Sequence, residues 1–181
     1  HAAYLMFDQR FFNKFRAAYG VRAEYYTLAN LQEEYLKKSY GGTAPEYMHI
    51  KTGEDGWKLF PSLNFTYELS PSQNIRLGYS RTVVRPDFRE TSYFGFYDYE
   101  LDGNITGRHL LSTLIDNVDL RWEWYPSPGE IISVSGFFKY MDKPIELVKD
   151  PSSQSAYYQF QNQHSAKNYG VELEFRKNLG F

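Results

Sequence analysis

The chain has 181 residues, enough for one domain with its own core. It has no cysteine, which excludes disulfides and thiolate metal sites, and its formal net charge of −2 gives no basic surface for nucleic acid. It holds no apolar run of about 18 residues, as a transmembrane helix needs, and no signal peptide at His1, so the sequence reads as though it begins within a folded structure. Aromatic residues make up 19% of a sequence that is polar on average, which favours side chains that alternate between two environments over a single apolar core.

Apolar residues at every second position predict an all-β, antiparallel, up-and-down meander of seven strands. In chain order the predicted strands are 3–11, 15–27, 57–68, 74–84, 117–125, 132–140 and 169–176, the first having the weakest alternation. We expect one continuous sheet in which one set of side chains points away from the other: Leu77, Leu120 and Val171 on one face, Arg76, Arg121 and Glu172 on the opposite face.

The connections between these strands alternate in length. Those near Asn13, 70–73 and 126–129 are tight, whereas those at about 28–55, 85–112 and 141–164 are far longer than is common in compact soluble domains. Within the first long connection a capping-box spacing predicts a short helix over 31–38. Strands of about 9–11 residues with short turns on one side and long loops on the other are typical of an outer-membrane β-barrel, with lipid on the apolar face and the lumen on the polar face.

The placement of aromatic residues supports this interpretation, because lipid-facing strands concentrate aromatics at both membrane interfaces. Near the short-turn rim fall Phe11, Phe15, Tyr67, Trp122, Trp124 and Phe175. Near the other rim fall Tyr25, Trp57, Tyr140 and Tyr169. Between the rims the same face holds Val, Leu, Ala and Ile.

Two residues do not fit a plain lipid-facing strand. Pro61 lies within the third strand, where it removes a ladder hydrogen bond, and a β-bulge is expected there. Arg81 has lipid-face parity, which costs about 2–4 kcal/mol at the membrane midplane and about 0–1 kcal/mol near an interface. Since Arg81 lies late in its strand, we expect it at the outer rim, where the cost is small.

Four segments carry a resemblance to a known family. They are RTVVRPDFRE (81–90), FGFYDYELDGNITG (94–107), IDNVDLRWEWYPSPGEIISVSGFFKYMDKPIE (115–146) and SAKNYGVELEFRKNLGF (165–181). Together they resemble the C-terminal half of the barrel of TonB-dependent outer-membrane receptors, in the style of the Bacteroidetes. The family usually has Gly-Asn-Pro where this chain has Gly103-Asn104-Ile105, a departure at the end of one loop.

The resemblance implies a larger protein around this chain. It implies a 22-stranded barrel in the outer membrane of a Gram-negative bacterium, of which residues 1–181 are a partial barrel domain, with strands continuing after Phe181. It also implies a plug domain that this chain lacks, and energy from the TonB complex. The implied function is import of a scarce nutrient, either a siderophore, haem, a vitamin or a glycan. The expected partners are outer-membrane lipid, the plug, TonB and a small-molecule or glycan ligand, with no nucleic acid.

The run FYDYELDGN (96–104) is the most unusual stretch, with three acids two residues apart. From Asp98 it matches part of an EF-hand loop, but His109 stands at the twelfth position, where calcium needs a bidentate Glu. A looser calcium site completed by other loops remains an alternative. We expect instead a strand-like extension of the barrel wall, with the acids on one side and Tyr97, Tyr99 and Leu101 on the other.

The candidate ligand-binding residues lie in this extracellular loop and at the lumen. They are Arg85, Arg89, Tyr93, Phe96, Tyr97, Asp98, Tyr99, Glu100 and Asp102. Arginine offers a planar fork to carboxylate or phosphate, and the aromatic rings, with Phe94 beside them, offer stacking faces to sugars or aromatic chelators.

No motif indicates catalysis, a metal site or a cofactor. The sequence has no G-x-S-x-G and no P-loop, and its four histidines (His1, His49, His109 and His164) lack ligand spacing. Glu172 and Glu174 have the parity of solvated lumen charges. Two other classes stay open: a soluble or secreted β-rich binding module, for example one for carbohydrate, and a structural or adhesive barrel without transport.

Overall fold

The computed structural model describes residues 1–27, 54–91, 94–151 and 156–179. The helix predicted at 31–38 lies outside these residues. Within them the strands are β1 (Ala2–Phe11), β2 (Phe15–Thr27), β3 (Asp55–Ser70), β4 (Gln73–Val84), β5 (Phe96–Asp98), β6 (Gly103–Thr106), β7 (Thr113–Trp124), β8 (Ile131–Asp142), β9 (Ile145–Lys149), β10 (Tyr157–Asn162) and β11 (Ser165–Arg176), and the short helix α1 is Phe88–Thr91. No described helix is long and apolar enough to cross a membrane.

The seven long strands form one antiparallel sheet in the order β1-β2-β3-β4-β7-β8-β11. Each predicted strand corresponds to one of them, so the seven-stranded meander is confirmed. The total of 22 strands stays a prediction. The apolar–polar alternation predicted these strands correctly because each has 10 to 16 residues, so the two-residue period repeats several times and single departures do not hide it.

The pairing register confirms the expected division into two faces. Leu77 lies opposite Leu120, which aligns through Gly136 with Val171. One residue further along each strand, a polar row runs Arg76, Arg121, Ser135, Glu172. Directly paired residues share a face and neighbours in sequence alternate between faces. We call the first the outward face and the second the polar face.

The outward face is apolar yet uncovered. Val171 and Leu173 are 74% and 78% exposed, and Leu120 in the sheet interior is 53% exposed. A soluble sandwich would bury such side chains against a second sheet. A contiguous exposed apolar surface of this kind is typical of a face that contacts lipid or another protein.

The predicted bulge at Pro61 is wrong. The β2–β3 register runs without interruption through the pair Val21–Pro61, and the shift lies between Glu68 and Ser70. Pairing of β3 with β4 begins only at Ser62, opposite Ser80, so the proline stands where that ladder starts. An imino acid is tolerated at such a boundary because few ladder bonds are required of it.

The long connections carry a second, smaller sheet that alternation did not predict. Its order is β5-β6-β10-β9, and β6 and β10 run parallel, which departs from the predicted all-antiparallel meander. It joins the connection between β4 and β7 to the connection between β8 and β11. Gly103 permits this contact, because a Cβ there would lie 2.5 Å from the carbonyl oxygen of Ala156. Strands of three to six residues, paired across about 50 positions, leave no periodic signal.

Candidate ligand site at the long-loop end

An open recess of about 640 Å³ lies at the β5–β6 hairpin, within the smaller sheet. Its lining consists of Arg89, Phe94, Phe96, Tyr97, Asp98, Tyr99 and Glu100. Six of the nine predicted ligand-binding residues therefore lie around one recess. Asp102 is outside the lining but bonds to Tyr97, Arg85 pairs with Glu24, and Tyr93 falls outside the described residues.

Helix α1 presents Arg89 to the recess. Asp87 caps this single turn: its Oδ1 accepts from the backbone N of Phe88 at 2.6 Å, while its own backbone N donates to Glu90 Oε2 at 2.8 Å. The bond from Asp87 N to Glu90 is one half of a capping box. The guanidinium carbon of Arg89 lies 5.6 Å from the ring centre of Phe96, so cation–π attraction favours keeping the charge on the recess wall.

The acidic run folds as a tight hairpin, so the predicted continuous strand extension is wrong. Strand β5 ends at Asp98, a turn follows, and β6 begins at Gly103. Asp98 Oδ1 accepts from the backbone N of Glu100 at 2.9 Å and of Leu101 at 3.0 Å. Side-chain capping of its own turn is a common role of Asp and ends strand alternation at that point.

Two tyrosines shape the open side of the recess. The Tyr97 hydroxyl donates to Asp102 Oδ1. Alternation had predicted these two side chains on opposite sides of the segment, and the hairpin brings them together. This hydrogen bond raises the pKa of Tyr97 above its ordinary value, because the carboxylate retains the phenolic proton. The Tyr99 ring packs edge-on against Tyr97, with 5.2 Å between centroids, and Tyr99 is 90% exposed.

Arg85 acts at the rim of the main sheet and not in the recess. One of its terminal nitrogens pairs with Glu24 Oε2, and its guanidinium lies 4.5 Å from the ring centre of Tyr26. Glu24 also pairs with Arg22 at 2.5 Å. The two arginines and the carboxylate thus fix the chain where it leaves β4 against β2.

Residues that sequence reasoning missed tie the smaller sheet to the main one. Glu54, just before β3, accepts from the backbone N of Ser112 at 3.0 Å, from its Oγ at 2.5 Å and from Lys58 Nζ at 2.7 Å. Burial acts to raise the pKa of Glu54, but the hydrogen bonds from Lys58 and Ser112 outweigh it and hold the pKa below its ordinary value. A single Glu just before a strand gives no sequence signal for such a role.

Asn162, at the end of β10, makes a second set of hydrogen bonds between the long connections. Its Oδ1 accepts from Leu111 N at 2.8 Å, and its Nδ2 donates to the carbonyls of Leu111 at 2.9 Å and Lys143 at 2.8 Å. The amide thus satisfies both backbone groups of Leu111, as a neighbouring strand would. Leu110 beside it is fully buried. The two long connections therefore form one packed body.

The described residues contain no cluster of three His, Asp or Glu side chains arranged to hold a metal ion. In the acidic hairpin Asp98 caps its own turn and Asp102 receives the Tyr97 hydroxyl. His109 lies near Glu54, where burial lowers its pKa. What the recess offers instead is aromatic surface, two carboxylates and one guanidinium.

A sheet of long antiparallel strands, apolar and uncovered outside, polar inside, with tight turns at one end and packed loops at the other, defines a segment of a membrane β-barrel wall. The sequence matches the model of the outer membrane protein β-barrel family over residues 1–180. The chain belongs to that family, and its place is the outer membrane.

Comparison with curated proteins finds no match. Among solved structures, the siderophore receptor PirA from Pseudomonas aeruginosa is similar over 96% of this chain and 30% of its own, with TM-score 0.69 and 15% identity. The hemophore receptor HasR of Serratia marcescens, solved with its hemophore HasA and heme, matches over 96% and 31%, with TM-score 0.69 and 11% identity. The copper transporter OprC matches over 95% and 25%, with TM-score 0.64 and 13% identity. The chain thus spans a third or less of each, and the likeness shows a shared fold.

Proposed function

We propose that the chain is part of the barrel of a TonB-dependent receptor that imports a scarce nutrient across the outer membrane. The observation that carries the proposal is the fold, a barrel wall with packed loops at one end. This fold superposes on receptors named for siderophores and hemophores and on a copper transporter. In this proposal the long-loop end lies outside the cell, and the recess makes first contact with the ligand.

The polar face supports a partner inside the barrel. On it a chain of ion pairs links β4, β7 and, across β8, β11: Arg76–Glu123 at 2.9 Å, Glu123–Arg121 at 2.9 Å and Arg121–Glu174 at 2.7 Å. Such charges suit a hydrated lumen that holds a polar domain. The partners that we propose are a plug domain elsewhere in the full-length protein and TonB acting on it.

Transport is favoured over a soluble binding module by the outward face. A soluble module would have to hide Leu120, Val171 and Leu173, which stand exposed together. The solved structures that share the fold are also named as receptors and a transporter, and none of these three is named as an enzyme. We therefore assign the parent protein to transport and not to catalysis.

The experiment is uptake by cells that carry the full-length gene. We expect ligand accumulation that stops when a protonophore collapses the inner-membrane gradient, and that is lost on deletion of the plug. Binding should survive the protonophore, because only transport needs energy. Accumulation that persists without the gradient would contradict a TonB-dependent receptor and favour a passive or adhesive barrel.

A further inference from the structure

The charges around the recess select against anionic ligands. Its lining holds two carboxylates, Asp98 and Glu100, and one guanidinium, Arg89, which leaves one negative charge in excess. Asp102 adds a further carboxylate, bonded to Tyr97. A polyanion that entered would meet like charge at close range, which costs free energy and slows encounter.

The hydrogen-bonding groups left free in the recess are mainly acceptors. Among the described residues the Glu100 side chain forms no hydrogen bond, and Asp98 keeps one oxygen that its turn does not use. An ionised carboxylate only accepts, so its natural partner donates hydrogen bonds. Hydroxyl groups donate without charge. An ammonium group also donates, and the excess carboxylate charge attracts it, so these charges disfavour anions and leave neutral and cationic donors open.

The aromatic groups supply the apolar half of the recognition. Phe94 and Tyr99 are 77% and 90% exposed, at the same recess as Glu100. Exposed rings beside a few polar groups are typical of ligand sites, and the volume of about 640 Å³ lies within the usual range for a small-molecule pocket. A ligand with one flat apolar face and a hydroxyl-bearing edge satisfies both sets of groups.

We propose that the recess binds a hydroxyl-rich ligand without anionic groups, in biological terms a carbohydrate that is not acidic. The sugar ring stacks on Tyr99 or Phe94, and its hydroxyls donate to Glu100 and to the free oxygen of Asp98. This inference rests on the proposed function, since it names the substrate class of the same receptor.

The test uses the full-length protein in detergent and matched pairs of glycans that differ in charge. One pair is galactan and polygalacturonate, another is chitohexaose and its deacetylated, cationic counterpart, and a ferric tris-catecholate complex serves as the polyanionic chelate. We expect at least one of the non-acidic glycans to bind more tightly than polygalacturonate and the chelate do. Tyr99→Ala should weaken that binding about fivefold or more, whereas Leu101→Ala, in the same turn but outside the lining, should not.

A second variant, Glu100→Gln, keeps the shape and removes charge. It should change neutral-glycan binding little, because the amide oxygen still accepts, and should improve binding of polygalacturonate or the chelate. Tight binding of the chelate or of polygalacturonate, or no binding of any non-acidic glycan, would overturn the ligand class. If gradient-dependent import of the chelate were then found, the proposed receptor function would stand. If no import of any ligand were found, that function would fall as well.

Discussion

Arg81 and Asp116 form a bidentate ion pair on the outward face of the sheet, with Nε–Oδ1 at 2.8 Å and Nη2–Oδ2 at 2.9 Å. They lie directly opposite each other on β4 and β7, and the Tyr79 hydroxyl donates to the same carboxylate at 2.8 Å. The charge that seemed out of place on a lipid-facing strand is therefore neutralised by a cross-strand partner. Both residues stand near the long-loop end of their strands.

This pairing predicts an asymmetry between single and double variants. Asp116→Ala leaves Arg81 unpaired on the lipid-facing surface and should lower the free energy of unfolding by about 1–3 kcal/mol, between the interface and midplane costs. Arg81→Leu/Asp116→Leu removes both charges and should cost less than the single change. Chemical unfolding in lipid vesicles measures both. Equal losses for the two proteins would mean that Arg81 is solvated by water.

The polar face predicts a difference between two glutamates of one ion-pair chain. Glu123 is 6% exposed and holds Arg76, Arg121 and the Tyr125 hydroxyl, whereas the Glu174 side chain is 38% exposed. Glu123→Gln should cost about 1.5–3 kcal/mol, since charged hydrogen bonds are lost in a buried position. Glu174→Gln should cost about 0–1 kcal/mol. The same unfolding measurement checks the order, and a larger effect at Glu174 would contradict it.

The smaller sheet predicts a local effect of adding one methyl group. Gly103→Ala places a Cβ at 2.5 Å from the Ala156 carbonyl oxygen and should separate β6 from β10, so that proteases cut the two long connections faster. The main sheet should keep its stability. Gly95→Ala is the matched control, because its nearest contact would be 3.5 Å, to Thr106. Equal cleavage of the two variants would show that the parallel pairing does not hold the loops.

The fastening at Glu54 predicts a dependence on pH. Because the folded pKa of Glu54 lies below its ordinary 4.5, the stabilisation is complete above about pH 4.5 and is lost as pH falls through the lower folded pKa. Hydrogen exchange at the Ser112 amide should therefore quicken at low pH relative to Glu54→Gln at the same pH. His109, whose pKa burial lowers, acts in the same direction below its ordinary 6.5, and the variant removes that shared background. A constant ratio across the range would contradict the prediction.

The sequence predicts the main sheet because lipid on one side and water on the other impose a two-residue period on every strand. Leu77 and Arg76 and their register partners follow that period, and the charged outward pair Arg81–Asp116 departs from it. The loops obey no such constraint. The turn at Asp98 depends on bonds to Glu100 and Leu101, which an Asp can form in many local contexts, so its presence alone does not predict the turn. The bonds of Asn162 reach Leu111, 51 positions away, and leave no pattern in composition or spacing.

The predicted ligand-binding residues, whose role stays a prediction, are an intermediate case in how far their positions follow from sequence. Its residues are close in sequence, so a short hairpin brings Phe96, Tyr97 and Glu100 together whatever the larger fold. Arg85 has the right chemistry but belongs to the rim, where Glu24 and Tyr26 hold it. Local sequence predicts local sites, and it does not reveal which neighbour a long side chain will reach.

The central claim is that the outward face of the sheet contacts lipid and the polar face contacts water, and it is tested most directly by measuring the accessibility of each face. Single cysteines can be placed at Val118, Asp119, Leu120 and Arg121 of β7, since this chain has none of its own, and labelled with nitroxide in the full-length protein in lipid vesicles. A barrel wall predicts that oxygen dissolved in lipid reaches 118 and 120, that a water-soluble nickel chelate reaches 119 and 121, and that the two profiles alternate out of phase. Equal access of the nickel chelate to all four positions, or profiles in phase, would contradict a lipid-facing outward surface.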